Sequence, residues 1–116
     1  MVTDLDAVSR FSALAHAVRL QAFRLLVKAG PSGMPSGEIA DALQVPPTAM
    51  SFHLSTLERS GLLASRRVGR KIFYAVQYEQ VRALLAFLTE DCCGGRPELC
   101  GSLGLPEQSS MEAERQ

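Results

Sequence analysis

No stretch of this 116-residue sequence approaches the roughly 20 consecutive apolar residues that a membrane-spanning helix requires. The opening residues 1–6 are acidic and lack the basic head and apolar centre of a secretion signal. We therefore expect a cytoplasmic protein with no membrane partner, in which thiols stay mostly reduced. A hydrophobic content of 47% in a chain of this length suits one small domain with a modest core.

Cysteine is scarce and confined to one short segment. The three cysteines are an odd number and lie within nine positions, as Cys92, Cys93 and Cys100. This count and this crowding argue against a disulfide framework and favour a local thiol site.

Signatures of catalysis are also missing. The sequence contains no phosphate-binding loop, no Ser/His/Asp arrangement and no acid pair with an enclosing pocket. We therefore do not expect an enzyme.

Acidic residues are almost absent from one part of a chain whose formal net charge is zero. Between Gln44 and Ala75 there are five basic residues and only one acidic residue, Glu58, whereas from Leu88 to the end six acids face two arginines. A neutral protein with one basic segment can still bind a polyanion through that segment.

The rest of the chain is organised around one predicted helix, the stretch from Pro47 to Gly61. Met50, Leu54 and Leu57 recur at helical spacing and form one apolar stripe, with proline at the predicted start and glycine just past the end. The opposite face carries small hydroxyl side chains and is nearly free of acid, with Glu58 at its flank, which suits close approach to phosphates and base edges. An ordinary amphipathic helix that happens to be rich in serine and threonine is the alternative.

The remaining elements are assigned from periodicity and from glycine and proline breaks. We expect a helix over residues 5–15 capped by Thr3 or Asp4, a second over 17–28, a loop over 30–35, a short helix over 37–43 capped by Ser36, a β-hairpin over 62–76, and a last helix over 78–91. The short helix, a tight turn and the helix from Pro47 together make a helix-turn-helix.

The hairpin carries a group of basic residues near its turn at Gly69–Arg70. These are Arg66, Arg67, Arg70 and Lys71, with no acid among them. Basic residues also protect strand edges from aggregation. Beside a helix-turn-helix, however, they favour contact with phosphates or the minor groove.

The first and last helices carry apolar stripes that so short a chain has little core to cover. These stripes are better used to pair two subunits, although packing against their own domain is the alternative. The predicted dimer-interface residues are Leu5, Val8, Phe11, Val81, Leu84, Leu85 and Leu88.

The order of these elements and three of the stretches resemble the ArsR/SmtB family of bacterial winged-helix repressors. The stretches are residues 14–26, residues 50–63 with their Ser-x-His-Leu core ending in Gly-Leu, and residues 68–74, which are similar to the family's wing. The resemblance implies a mainly α fold with a β-hairpin wing, a homodimer that binds a palindromic operator through one recognition helix per half-site, and release of DNA when an inducer binds.

Carried over by position, the resemblance implies two groups of DNA-facing residues. They are Thr48, Ser51, Phe52, Ser55 and Thr56 on the recognition helix, and Arg66, Arg67, Arg70 and Lys71 on the wing. Phe52 could contact a thymine methyl or could pack internally. His53, at the margin of the buried stripe, is expected first to be a hydrogen-bonded structural histidine and only secondarily a DNA contact.

The cysteine segment predicts a three-sulfur site. Two glycines after Cys92 and Cys93 let the chain reverse and bring Cys100 over the pair. Zinc favours four ligands and no histidine is near, so no zinc is expected. Soft, pyramidal As(III) or Sb(III) suits three thiolates.

The cysteines depart from parts of the family, since well-known arsenic sensors carry theirs at the start of the helix-turn-helix and zinc sensors have histidine on the last helix. The terminal Cys-Cys…Cys resembles an As(III)-responsive subgroup. A two-thiol site for methylarsenite, a thiol-redox pair and incidental cysteines are the alternatives, the redox pair being weakened by the strain of a bond between adjacent cysteines.

The resulting hypothesis is a transcriptional repressor released from DNA by As(III) or Sb(III). We expect a DNA-binding and dimerisation domain over residues 1–91, a metalloid-binding segment over 92–101 and a disordered tail over 102–116. A metallochaperone that hands arsenic to a pump would use the cysteines without the basic hairpin. Steep loss of DNA affinity with salt would distinguish the repressor.

Overall fold

The computed structural model describes residues 2–89, which form five α-helices and three β-strands. In chain order these are α1 (Asp4–Leu14), α2 (Ala17–Ala29), β1 (Met34–Pro35), α3 (Ser36–Leu43), α4 (Pro47–Arg59), β2 (Leu63–Val68), β3 (Lys71–Val76) and α5 (Tyr78–Thr89). The residues up to Leu84 make one compact unit, and the chain from Leu85 onward belongs to a second. The cysteine segment and the tail lie outside the described residues.

Helix α1 begins with the predicted threonine cap. The hydroxyl oxygen of Thr3 accepts a hydrogen bond from the amide of Asp6 at 3.1 Å, and the carboxylate of Asp6 accepts one from the Thr3 amide at 3.1 Å. This reciprocal pair satisfies two amide donors that the first turn leaves free. It also lowers the pKa of the Asp6 carboxyl, because the hydrogen bonds stabilise the charged form.

The segment between α2 and α3 departs from the prediction of a simple loop. Met34 and Pro35 form the short strand β1, which pairs antiparallel with β3. Gly33, just before it, has φ +73°, and a Cβ there would overlap the Tyr74 carbonyl, so only glycine allows this approach. The prediction that Ser36 caps α3 is also wrong, because Pro35 is the N-cap and no side chain caps this helix.

The helix-turn-helix and the hairpin are confirmed. Gln44 ends α3 in the left-handed conformation, α4 begins with Pro47 at its first position, and Gly61 follows α4 with φ +93°. Strands β2 and β3 pair antiparallel, with Arg66 opposite Phe73, and the three strands lie in the order β1-β3-β2.

The most deeply buried part of the core is built from apolar side chains of α2, α3, α4 and the start of β2. Its largest fully buried members are Leu26, Ile39, Met50, Leu54, Leu57, Leu62 and Leu63. Three of them come from one side of α4, as the apolar stripe predicts. The buried side of α4 therefore fixes which of its residues face outward.

Candidate nucleic-acid interface

The outward face of α4 is polar at its N-terminal half. Thr48, Ser51 and Phe52 are exposed, and Phe52 exposes 61% of its surface, so internal packing is not its main role. No side chain caps the start of this helix, and its first position is a proline. The positive end of the helix dipole and its free amides are thus available to an anion.

The C-terminal half of that face is ordered by an arginine. Arg59 donates from Nη1 to the hydroxyl of Ser55 at 2.8 Å and from Nη2 to that of Thr56 at 3.4 Å. Thr56 in turn donates to the carbonyl of Phe52 at 3.0 Å. Ser55 and Thr56 are half-buried, so of the predicted DNA-facing hydroxyls they are the less accessible.

The middle of α4 is held against the start of α2. Nη1 of Arg19 lies 3.3 Å from Nδ1 of His53, and Nε of Arg19 donates to the carbonyl of Ala13 at 2.7 Å. His16, the N-cap of α2, places its ring 4.6 Å from that of His53. Burial, and then the nearby His16 and Arg19, lower the pKa of His53. The predicted structural role of His53 is confirmed by its hydrogen-bonding distance to Arg19.

The end of α4 is held by α1 through a buried arginine. Nε of Arg10 donates to the carbonyl of Ser60 at 2.9 Å, while Nη1 is buried without a partner. A Cβ on Gly61 would lie 3.0 Å from Nη2 of Arg10, so the absent side chain leaves room for the guanidinium. Periodicity did not reveal Arg10 because a charged residue in a surface helix is ordinarily exposed.

The wing cations do not form one group. Directly opposite residues of an antiparallel pair share a face, so Arg66 lies with Phe73 on one face and Arg67 with Ile72 on the other. The Arg66 guanidinium lies 4.9 Å from the centre of the Phe73 ring and donates to the carbonyl of Ser32 at 3.0 Å. Arg66 is exposed but engaged within the protein, whereas Arg67, Arg70 and Lys71 are exposed near the turn.

The predicted dimer-interface residues divide into exposed and buried. On α1, Leu5 exposes 82% of its surface, Val8 64% and Phe11 41%. Leu85 and Leu88 are exposed, and Val81 is half-buried. Leu84 differs from these residues, because its side chain exposes only 4% of its surface in the single chain.

The predicted metalloid ligands Cys92, Cys93 and Cys100 lie outside the described residues. Within residues 2–89, no group of three His, Cys, Asp or Glu side chains is placed to hold a metal ion. No helix in the same range is long and apolar enough to cross a membrane.

A helix-turn-helix followed by a β-hairpin with a basic turn defines a winged helix-turn-helix protein. A family model described as a helix-turn-helix domain matches residues 14–66. The transcriptional activator HlyU of Vibrio cholerae is 30% identical over 87 residues, covering 75% of this chain and 78% of the relative. The regulator YgaV of Escherichia coli is 30% identical over 88 residues, covering 76% and 87%.

Solved structures give the same result. A homodimeric winged helix-turn-helix DNA-binding domain of Mycobacterium bovis, described as a possible ArsR-family transcriptional regulator, superimposes with a TM-score of 0.60 at 27% identity, covering 95% of this chain and 96% of that one. An ArsR family transcriptional regulator superimposes with a TM-score of 0.65 at 27% identity, covering 74% and 91%. The chain belongs to the helix-turn-helix transcriptional regulators, and its relatives are named as regulators rather than enzymes.

Proposed function

We propose that this protein is a homodimeric transcriptional repressor that binds a palindromic operator and is released by As(III) or Sb(III). The observation that carries the DNA-binding part is the pairing of an exposed hydroxyl face on α4 with three exposed cations near the wing turn. Membership of a family of transcriptional regulators supports the same part.

Two kinds of DNA contact follow from this surface. Thr48 and Ser51 would reach base edges or phosphates in the major groove, with Phe52 against a thymine methyl. Arg67, Arg70 and Lys71 would contact phosphates beside the groove, and such contacts give affinity without sequence information.

Dimerisation is supported by the apolar side chains that α1 exposes, above all Leu5 and Val8. A second copy would remove them from water, at about 25 cal/mol for each Å² of apolar surface. The Mycobacterium bovis relative is named as a homodimer. Two copies related by a twofold axis read a palindrome, one half-site each.

The inducer is proposed from sulfur chemistry. Cys92, Cys93 and Cys100 supply three thiolates, the donor set that a soft trivalent metalloid prefers. Binding would draw Cys100 toward the other two and alter the end of α5, and thereby the spacing of the two α4 helices. Allosteric couplings of about 1–3 kcal/mol are typical and would weaken operator binding roughly 5- to 150-fold.

Thiol oxidation is the second candidate. A solved HlyU from Vibrio cholerae, 29% identical with a TM-score of 0.60, is named as the reduced form of its protein. A redox signal would require two of the three cysteines, and methylarsenite would likewise need only Cys92 and Cys93. A response to methylarsenite that does not depend on Cys100 identifies the two-thiol site, and release by peroxide identifies the redox signal.

The test is an operator mobility shift on the full-length protein, titrated with arsenite, antimonite, methylarsenite, zinc and peroxide. We expect arsenite and antimonite to release DNA from the wild type. Cys92→Ser, Cys93→Ser and Cys100→Ser should bind DNA normally and respond weakly, while Ser102→Ala, a nearby change that removes no thiol, responds as the wild type does. A Cys100→Ser protein released at the wild-type arsenite dose would refute the three-thiol site.

Repression is tested separately from DNA binding, since one relative is named as an activator. A reporter placed behind the operator should be silenced by the protein and restored by arsenite. Activation instead of silencing would refute repression. A protein that holds arsenite but shows no salt-dependent DNA affinity would be the metallochaperone.

A further inference from the structure

An unassigned pocket lies beside the C-terminal half of the α4 outward face. It has a volume of about 220 Å³ and is formed where α1, α2 and α4 meet. Two guanidinium groups, Arg19 and Arg59, and the hydroxyls of Ser9, Ser12, Thr56 and Ser60 line it, and no carboxylate does. We propose that this pocket binds a phosphate-type oxyanion.

The electrostatic argument begins with the two arginines. Neither makes an ion pair with an acid among residues 2–89, so both charges remain uncompensated within the range that the structure describes. The acid next in sequence to Arg59 is Glu58, and its carboxylate instead accepts a hydrogen bond from the Ser65 hydroxyl on β2 at 2.7 Å. An anion between the two guanidinium groups would neutralise charge that the fold leaves unpaired.

The hydrogen-bonding argument comes from the donors left over. Arg19 uses Nε and Nη1, and Arg59 uses Nη1 and Nη2, in the contacts already described. Within residues 2–89, Nη2 of Arg19 and Nε of Arg59 have no partner, and neither do the hydroxyls of Ser9 and Ser12. Existing contacts thus hold both arginines in place while leaving donors for a tetrahedral oxyanion.

The position of the pocket suggests two sources for that oxyanion. Arg59 lies on the same side of α4 as Thr48, Phe52 and Ser55, because eleven residues bring the helix back to nearly the same direction. A DNA backbone phosphate flanking the groove could therefore enter the pocket, and this source rests on the proposed function. A free oxyanion such as inorganic phosphate has the same chemistry, and this second source does not rest on the proposed function.

A matched pair of variants isolates the charge of the pocket. Ser9→Asp places a carboxylate beside the two arginines, whereas Ser9→Asn adds nearly the same volume without charge. Ser9 lies in the middle of α1 and its side chain makes no hydrogen bond among residues 2–89, so both variants should fold, which thermal unfolding checks. Arg24→Gln, which removes an exposed cation of α2 outside the pocket, is the control for net charge.

Two measurements are made on each full-length protein. In the first, inorganic phosphate is titrated at constant ionic strength against chloride while backbone amide resonances are followed. We expect saturable shifts at Ser9, Thr56 and Arg59 in the wild type and in Arg24→Gln, and none in Ser9→Asp. In the second, the affinity for a labelled duplex is measured across a range of salt concentrations.

If a backbone phosphate is the occupant, Ser9→Asp should bind the duplex about tenfold more weakly than Ser9→Asn, and the salt slope should fall by about 0.9 per subunit. If Ser9→Asp and Ser9→Asn bind the duplex with the same affinity but inorganic phosphate shifts the amide resonances of the pocket residues, the occupant is a free oxyanion. The inference is overturned if phosphate causes no saturable shifts and the two variants bind DNA equally. Should the wild type ignore DNA altogether, the proposed function fails and the phosphate titration alone decides the pocket.

Discussion

Helices α1 and α4 distribute their side chains in opposite ways. Helix α4 buries Met50, Leu54 and Leu57 completely and exposes hydroxyl groups. Helix α1 instead buries two alanines and Arg10, and exposes Leu5 and Val8. Large apolar residues on the outward side of a helix favour a second apolar surface that removes them from water.

The different outer faces of α4 and α1 suit different partners, the DNA and the second copy of the chain proposed above. The polar face of α4 suits a polymer that offers phosphates and base edges, and it needs no apolar cover. The apolar face of α1 suits a second copy of the chain, to which it offers area rather than hydrogen bonds. The small alanines on the inner side of α1 let it pack closely enough for Arg10 to reach the carbonyl of Ser60.

The largest effect should come from the inner face of α4. Leu54→Ala should lower the free energy of unfolding by about 2–5 kcal/mol, because it leaves a cavity at a site with no exposure. Urea unfolding measures this. Phe52→Ala, two residues away on the outer face, should change stability by less than about 0.5 kcal/mol. Similar losses for both would mean that the two faces of α4 do not differ as described.

The second effect should come from the outer face of α1. Val8→Glu should weaken dimerisation by at least about 2 kcal/mol, roughly thirtyfold in the dissociation constant, because a carboxylate would be buried unpaired in each copy. Analytical ultracentrifugation measures the constant. Gln21→Glu adds the same charge at an exposed position of α2 and should dimerise as the wild type does. An unchanged dissociation constant for Val8→Glu would place the interface elsewhere.

Helix α4 and the wing could be predicted from sequence because their signals are local. Apolar residues at helical spacing, a proline at the start and a glycine after the end mark α4 without reference to any other element, and the structure gives that glycine φ +93°. Strand β1 has no such signal. Two residues carry no period, and Met34 and Pro35 are a strand only because β3 lies beside them.

The candidate site was predictable to the extent that its faces are periodic. Periodicity assigns residues to one face but does not reveal what covers that face, so it groups the buried Leu84 with the exposed Leu85 and Leu88. Arg10 and Arg19 act through contacts with residues 50 and 34 positions away, Ser60 and His53. No local pattern records such a distance along the chain.

A smaller effect is expected from the buried arginine that joins the two helices. Arg10→Met should cost about 1 kcal/mol of stability. The Ser60 carbonyl loses its donor, and this loss is partly offset because the unpartnered Nη1 is no longer buried. DNA affinity should fall as well, because α1 no longer fixes the end of α4. Arg24→Met, at an exposed position, is the control for thermal and DNA-binding assays. No change in either assay would show that Arg10 does not hold α4 in place.

The smallest effect should be a pH dependence from the contact between α4 and α2. The pKa of His53 lies below its ordinary 6.5 in the folded protein, so the unfolded chain binds the proton more tightly. Stability from this group is therefore fully present above about pH 6.5 and is lost as the pH falls through the folded pKa. Between pH 7.5 and pH 5.5, the urea midpoint of unfolding should drop more for the wild type than for His53→Gln. This variant keeps an acceptor for Arg19 but does not titrate. Equal drops would assign the acid sensitivity to groups outside this contact.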